Sequence, residues 1–306
     1  MPGYLPPEPD FAMGFDSTSS LRKAYKEAQA VREGARAEMI ARQEEMDWLV
    51  YVVYGLLSQD HVAAQVDVEP APLDREERPF HLWMRAEGNF ARSVELIPYN
   101  WAAPRKRLWE GRLAAIRDNE HIRRIEQPVY KRRWDEQWKV GSGWQCGPIA
   151  YAAEFVEAFE WWLREKAEWW LEKKKNGGPV EFDEWAQILW KDTRIRAAWP
   201  VAADEYSKLE YEKMREKAEE NGEPAPTPPK PNTDFSGFRR EFKRIVDEET
   251  VPGGIPFGGA YEDVEKKLKW KIPGTVRKVR GKLNVPRERF HLHDKTQYLW
   301  AGHQFR

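Results

Sequence analysis

A single cysteine, Cys146, serves 306 residues, so no disulfide can close within the chain and a reducing, cytoplasmic setting is expected. No run of about eighteen apolar residues exists, which argues against a membrane span. The opening MPGYLPPEPDFAMGF lacks a basic start followed by an apolar stretch, so no secretory signal is expected. GxxxxGK(S/T) and GxGxxG are both missing, and with them the common phosphate cradles. His291 and His293, with His303 beyond them, have no cysteine or carboxylate set to complete a metal site. Acids are spread through a chain that is 33% charged, and none stands out as a hydrolytic pair.

Tryptophan is abundant instead, with 16 residues, and indoles either bolt helices together or cover partner surfaces. The net charge of −1 hides an uneven distribution. Residues 266–306 hold twelve Lys+Arg and two acids, a net +10, against −11 in the preceding 265. A basic end of this kind points to nucleic acid or an acidic partner surface.

Apolar spacing predicts a helix from 17–20 towards Gly55, wet at first and apolar at its end, as in a projecting arm that docks on something larger or, equally, an exposed helix with a sticky end. Stretches 78–85 and 93–97 are short enough to be strands, and 104–119 reads as a helix with Leu108, Leu113 and Ile116 inward. From 148 to 175 a helix carries Tyr151, Phe155, Phe159 or Ala158, Trp162 and Trp169 on one face. Trp161 and Trp170 lie off that stripe, so cover on two sides is expected. One helix or a pair follows over 182–199, then a charged helix over 205–220. NGEPAPTPPKPN (221–232) is a Pro-rich spacer, and 235–249 is an amphipathic helix.

The expected fold is mainly α, with few short strands: a multi-helix, Trp-rich module with a basic C-terminal segment. The expected divisions are a tail (1–16), a helical arm with a small mixed subdomain (17–135), a Trp-rich helical subdomain (136–220), a Pro/Gly-rich linker with a short helix (221–260) and the basic segment (261–306).

Cys146 sits in GWQCGPIAYAAEF (143–155), where a helix start would help hold a thiolate. FHLHD supplies His291 or His293 with Asp294 as the remaining members of a thiol hydrolase site. The alternative is a small buried thiol.

Five stretches occur in order: MIARQEEMDWLVYVVYGLL (39–57), ERPFHL (77–82), RIEQPVYKRRW (124–134), VRGKLNVPRERF (279–290) and LWAG (299–302). Together they resemble the C-terminal part of PglX-type adenine-specific DNA methyltransferases of phage-exclusion (BREX) systems, especially the type 2 form. The QEE…DW…YGL piece also recurs in large fused restriction–methylation enzymes. The resemblance implies a catalytic half that uses S-adenosylmethionine and grips a flipped adenine with an N/D-P-P-Y/F motif. This chain has no such tetrapeptide, its Pro-Pro pairs being LPPE and TPPK, so no catalytic residue and no cofactor is assigned to it. The thiol hydrolase reading loses ground, because the family needs no thiol there.

The implied role is a non-catalytic DNA-recognition or scaffold module, with duplex DNA and the methyltransferase catalytic domain or other phage-exclusion components as partners. Candidate DNA contacts are Tyr130, Lys131, Arg132, Arg133 and Trp134, which mix cations with aromatic rings. A second set is Arg277, Lys278, Arg280, Lys282, Arg287 and Arg289. In an extended segment Lys278, Arg280 and Lys282 share one face, and three phosphate contacts give a log–log salt slope of about −2.7. Two alternatives stand beside this reading. KRRW could be an interior cluster whose arginines bind Glu126 or Asp135, and the Trp-rich helices could dock on protein and touch DNA little.

Overall fold

The computed structural model describes residues 14–131, 147–175, 178–250, 289–292 and 296–300. Within them lie nine α-helices and three short strands, so the chain is mainly α. It divides into two compact units, Met1–Pro6 with Glu27–Cys146 and Pro7–Lys26 with Gly147–Arg306.

Helix α1 (Thr18–Val53) serves both units and at about 1.5 Å per residue is roughly 54 Å long. Its first turns are not wet: Leu21 and Tyr25 are buried, and the Tyr25 ring lies 4.7 Å from Phe155 in the second unit. Nor is its end wholly buried. Trp48 and Tyr51 point inward, while Met46, Leu49, Val50, Val53 and Tyr54 are exposed. The helix stops at Gly55, whose φ of +69° lets its N–H reach the Val52 carbonyl while Leu56 N–H reaches that of Tyr51. This double closure satisfies two orphan carbonyls.

The first unit continues through α2 (Pro79–Arg85), α3 (Phe90–Glu95), α4 (Ala103–Asp118) and α5 (Glu120–Ile125). Neither segment expected as a strand, 78–85 or 93–97, is one: 79–85 forms α2, and 93–95 is the last turn of α3. Pro79 at the first position of α2 and the Asn89 side chain, which accepts from Arg92 N–H at α3, supply helix starts that strand spacing ignores. Asn119 starts α5 by accepting from the His121 and Ile122 N–H groups, and its own amide donates to the Leu56 carbonyl. The core joins Trp48 and Tyr51 to Leu73, Leu82, Leu108, Trp109, Leu113, Ile116 and Ile122, so the three inward residues expected of α4 face it.

In the second unit α6 (Pro148–Lys174) packs along α8 (Thr193–Glu220), with α7 (Phe182–Lys191) and α9 (Phe235–Glu249) beside them. Helix α8 runs unbroken through Pro200, where two shorter helices are expected. Residues 235–249 are no linker element: Phe238, Phe242, Ile245 and Val246 of α9 are fully buried. Phe242 meets Trp185 edge-on at 5.0 Å and stacks on Phe238 at 5.7 Å. The Pro-rich stretch has no regular element, but it is tied back to α8, whose Ser207 hydroxyl donates to the Pro229 carbonyl and Trp199 indole to that of Asn232.

Strands β1 (Val180–Glu181), β2 (Phe290–Leu292) and β3 (Gln297–Trp300) form an antiparallel sheet in the order β1-β3-β2, pairing Val180 with Tyr298 and Phe290 with Trp300. Tyr151, Phe155, Phe159 and Trp162 of α6 are buried as expected, but Trp169 is 52% exposed.

Candidate functional site

Three of the five sequence stretches that carry the resemblance (39–57, 77–82 and 124–134) meet inside the first unit as a network of charges. Glu44, Asp47 and Trp48 come from α1, Arg78 from the start of α2, and Glu126 and Lys131 from the turn after α5. Lys131 is 5% exposed. Its ammonium lies 2.6 Å from Asp47, 2.8 Å from Glu126 and 3.7 Å from Glu44. The Arg78 Nε donates to Glu44 at 2.7 Å, and the Trp48 indole donates to the other Glu44 oxygen at 2.7 Å. Tyr51 donates its hydroxyl proton to Glu126 at 2.7 Å. Alongside, Arg112 donates to Glu45 and to the His61 carbonyl and spreads over the rings of Trp48 and Trp109.

Four carboxylates thus face three cations, and the excess negative charge is not shared evenly. Burial works against the Glu44 carboxylate, but Lys131, Arg78 and Arg112 outweigh it and hold its pKa at about 2. Glu126 has only Lys131, and burial pushes its pKa above the usual carboxylate range. Its Oε2 is buried and meets no hydrogen-bonding group. Burial and the adjacent Glu126 raise Tyr51, and the surrounding carboxylates raise Lys131 against its desolvation. The cluster is built to hold three chain segments in one register, since a buried charge is tolerated only where its partners are in place.

This placement corrects one candidate DNA contact. Lys131 is committed to carboxylates and presents no charge to a phosphate. For the lysine, the interior-cluster alternative is realised, with Glu126 among its partners. Tyr130 next to it is 70% exposed, whereas Arg132, Arg133 and Trp134 lie outside the described residues.

In the second set, Arg289 is also enclosed. It pairs with Glu168 at 3.2 Å and stacks on Trp161 at 4.5 Å, and the Trp300 indole donates to the same glutamate at 2.7 Å. Arg277, Lys278, Arg280, Lys282 and Arg287 lie outside the described residues, as do Cys146, His293 and Asp294. Sequence reading missed Glu44, Asp47 and Arg78. The available signal was a pair of acids three apart on one face of a helix, just ahead of a tryptophan. Among the described residues no cluster of His, Cys, Asp and Glu could hold a metal ion, and no helix is long and apolar enough to cross a membrane.

A mainly α chain whose first unit is organised by buried ion pairs is the class that fold and site define. Residues 39–216, more than half of the chain, match the family described as Domain of unknown function (DUF7008), and the chain belongs to that family. It is 26% identical over 317 aligned positions to the adenine-specific methyltransferase PglX of Streptomyces coelicolor (strain ATCC BAA-471 / A3(2) / M145). That alignment covers 90% of this chain and 24% of the relative, so the chain corresponds to a PglX-type region and spans about a quarter of the protein it resembles. No solved structure matches.

Proposed function

We propose that this chain is the non-catalytic, DNA-engaging and scaffolding part of an adenine-N6 DNA methyltransferase in phage defence, of the BREX or restriction–modification kind. The observation that carries the reading is the PglX alignment, which takes in nearly all of this chain and leaves most of the relative outside it. The missing N/D-P-P-Y/F motif agrees with a region that holds the duplex while S-adenosylmethionine and the flipped adenine are handled elsewhere. Exposed Tyr130, together with Trp134 and the cations at 132–133 and 277–287, remain its candidate contacts. The test is binding of the purified chain to duplex DNA across a salt series. Micromolar affinity with a steep negative log–log slope supports the reading, and no binding at low salt overturns it.

One observation favours protein docking as a second reading. Met46, Leu49, Val50, Val53 and Tyr54 follow helical spacing and leave an apolar face of α1 exposed. Leu49→Ser/Val53→Ser would then lose capture of the catalytic part of the methyltransferase while leaving DNA affinity unchanged.

A further inference from the structure

Cations are common on the surface of the first unit, and several of the exposed ones are paired with a neighbouring carboxylate. Arg117 pairs with Asp118 at 2.6 Å, Arg124 with Glu120 at 2.6 Å and Arg92 with Glu87 at 3.5 Å. The first turn of α4 is different. Arg105, Lys106 and Arg107 follow one another there, and none reaches a carboxylate within ion-pair distance among the described residues.

Two of the three are held in place. The Arg105 guanidinium lies 3.7 Å from the centre of the Trp101 ring, and its Nη2 donates to the Pro72 carbonyl at 3.1 Å. Lys106 donates its ammonium proton to the Tyr99 carbonyl. Arg107 is exposed and carries no such tie. The turn before the helix closes with Trp101 N–H on the Pro98 carbonyl and leaves Tyr99 at its tip, 92% exposed. A ring so placed contributes nothing to the core. Ala102 offers no side-chain cap to α4, so the free N–H groups of its first turn add to the charge of the three side chains.

We infer that this edge, formed by Tyr99, Trp101, Arg105, Lys106 and Arg107, is a contact surface for the phosphate backbone of duplex DNA. The inference rests on the DNA-engaging reading above and gives it a surface. Successive helix residues are separated by about 100°, so the three cations fan around the helix start and do not share one plane. That fan suits two lines of phosphates flanking a groove, the width of which is comparable to a helix end. Cations pre-set by stacking and carbonyl bonds lose little freedom on binding, and the exposed ring beside them can lie against a sugar or a base edge. An acidic protein surface is the competing occupant.

The experiment measures binding of the full chain to a short fluorescent duplex at several salt concentrations, with thermal melts to verify folding. Lys106→Ala/Arg107→Ala is expected to flatten the log–log slope by about 1.8 and, if those contacts act by counterion release, to weaken binding about 60-fold at 0.1 M salt. Tyr99→Ala is expected to weaken binding with the slope unchanged, and Arg117→Ala/Arg124→Ala to leave both unchanged. Should the alanine pair lower the melting point, Lys106→Gln/Arg107→Gln keeps the aliphatic stems and repeats the measurement. Unaltered slope and affinity in a folded double variant overturn this surface while the DNA-engaging reading stands. Absence of binding by the unmodified chain overturns both, and leaves the edge to an acidic protein partner.

Discussion

Replacing Lys131 by methionine distinguishes an interior lysine from a phosphate contact. The substitution keeps the aliphatic stem and removes a charge that three carboxylates share. Breaking a buried ion pair from one side costs about 3–5 kcal/mol, because the partner is left charged and dry. Two features of the site pull the cost towards the lower end. Asp47 is partly exposed and keeps Arg78 at 3.5 Å, and Glu126 already has a raised pKa and can take up a proton. We therefore expect a loss of about 3 kcal/mol in the first unit.

Urea unfolding followed by tryptophan fluorescence gives the overall change, and hydrogen exchange assigns it to the second half of α1 and to α5. Glu126→Gln keeps an acceptor for the Tyr51 hydroxyl and relieves the excess charge, so it restores about 1–2 kcal/mol when combined with Lys131→Met. A stability change below about 0.5 kcal/mol, the usual size for an open surface position, together with a salt slope flatter by about 0.9 would refute the interior placement.

The fold was legible where apolar spacing is long and stops are sharp. Helices α1, α4, α6 and α9 fall within a few residues of their expected limits, each set by a capping residue or a glycine or proline beside an apolar stripe. Legibility failed where a local rule was outweighed by packing. The expected limits leave a gap between 199 and 205, yet α8 runs through it and through Pro200, where Trp199, Val201 and Ala202 are all buried. Short apolar runs at 78–85 and 93–97 fit either period, and only their start residues decide for helix. The site divided in the same way. A run such as YKRRW shows its charge and its rings, but Tyr130 faces solvent and Lys131 faces Glu126. Which way a cation turns depends on carboxylates 84 and 87 residues earlier in the chain, a relation that no local pattern encodes.

Phe242→Ala should cost about 3–5 kcal/mol in the second unit, since its ring is fully enclosed between Trp185 and Phe238; a melt shifted by less than about 2 °C would return α9 to the role of linker. Arg289→Ala should lower the stability of the same unit by about 1–3 kcal/mol, through the loss of its Glu168 pair and Trp161 stack, and leave the salt slope of DNA binding unchanged. The dependence on pH follows from Glu44 and His81, measured as the melting point between pH 3 and 8. Glu44 is held at about 2 against an ordinary 4.5, so the unfolded chain binds its proton first as pH falls. Its stabilisation is complete above pH 4.5 and is lost between there and pH 2, about 3 kcal/mol in all. Burial, then Arg78 and Arg75, push His81 down to about 4 from 6.5. The unfolded histidine charges first, and stability falls as pH drops from 6.5 to 4, by about 1 kcal/mol once its partial exposure is allowed for. Glu126 has the opposite sign, its raised pKa giving a contribution that is lost as pH rises above 4.5. The melting point should therefore slope gently downward from pH 6.5 and steeply below 4.5. His81→Gln should flatten the upper limb alone; if that limb survives in the variant, His81 is not its source.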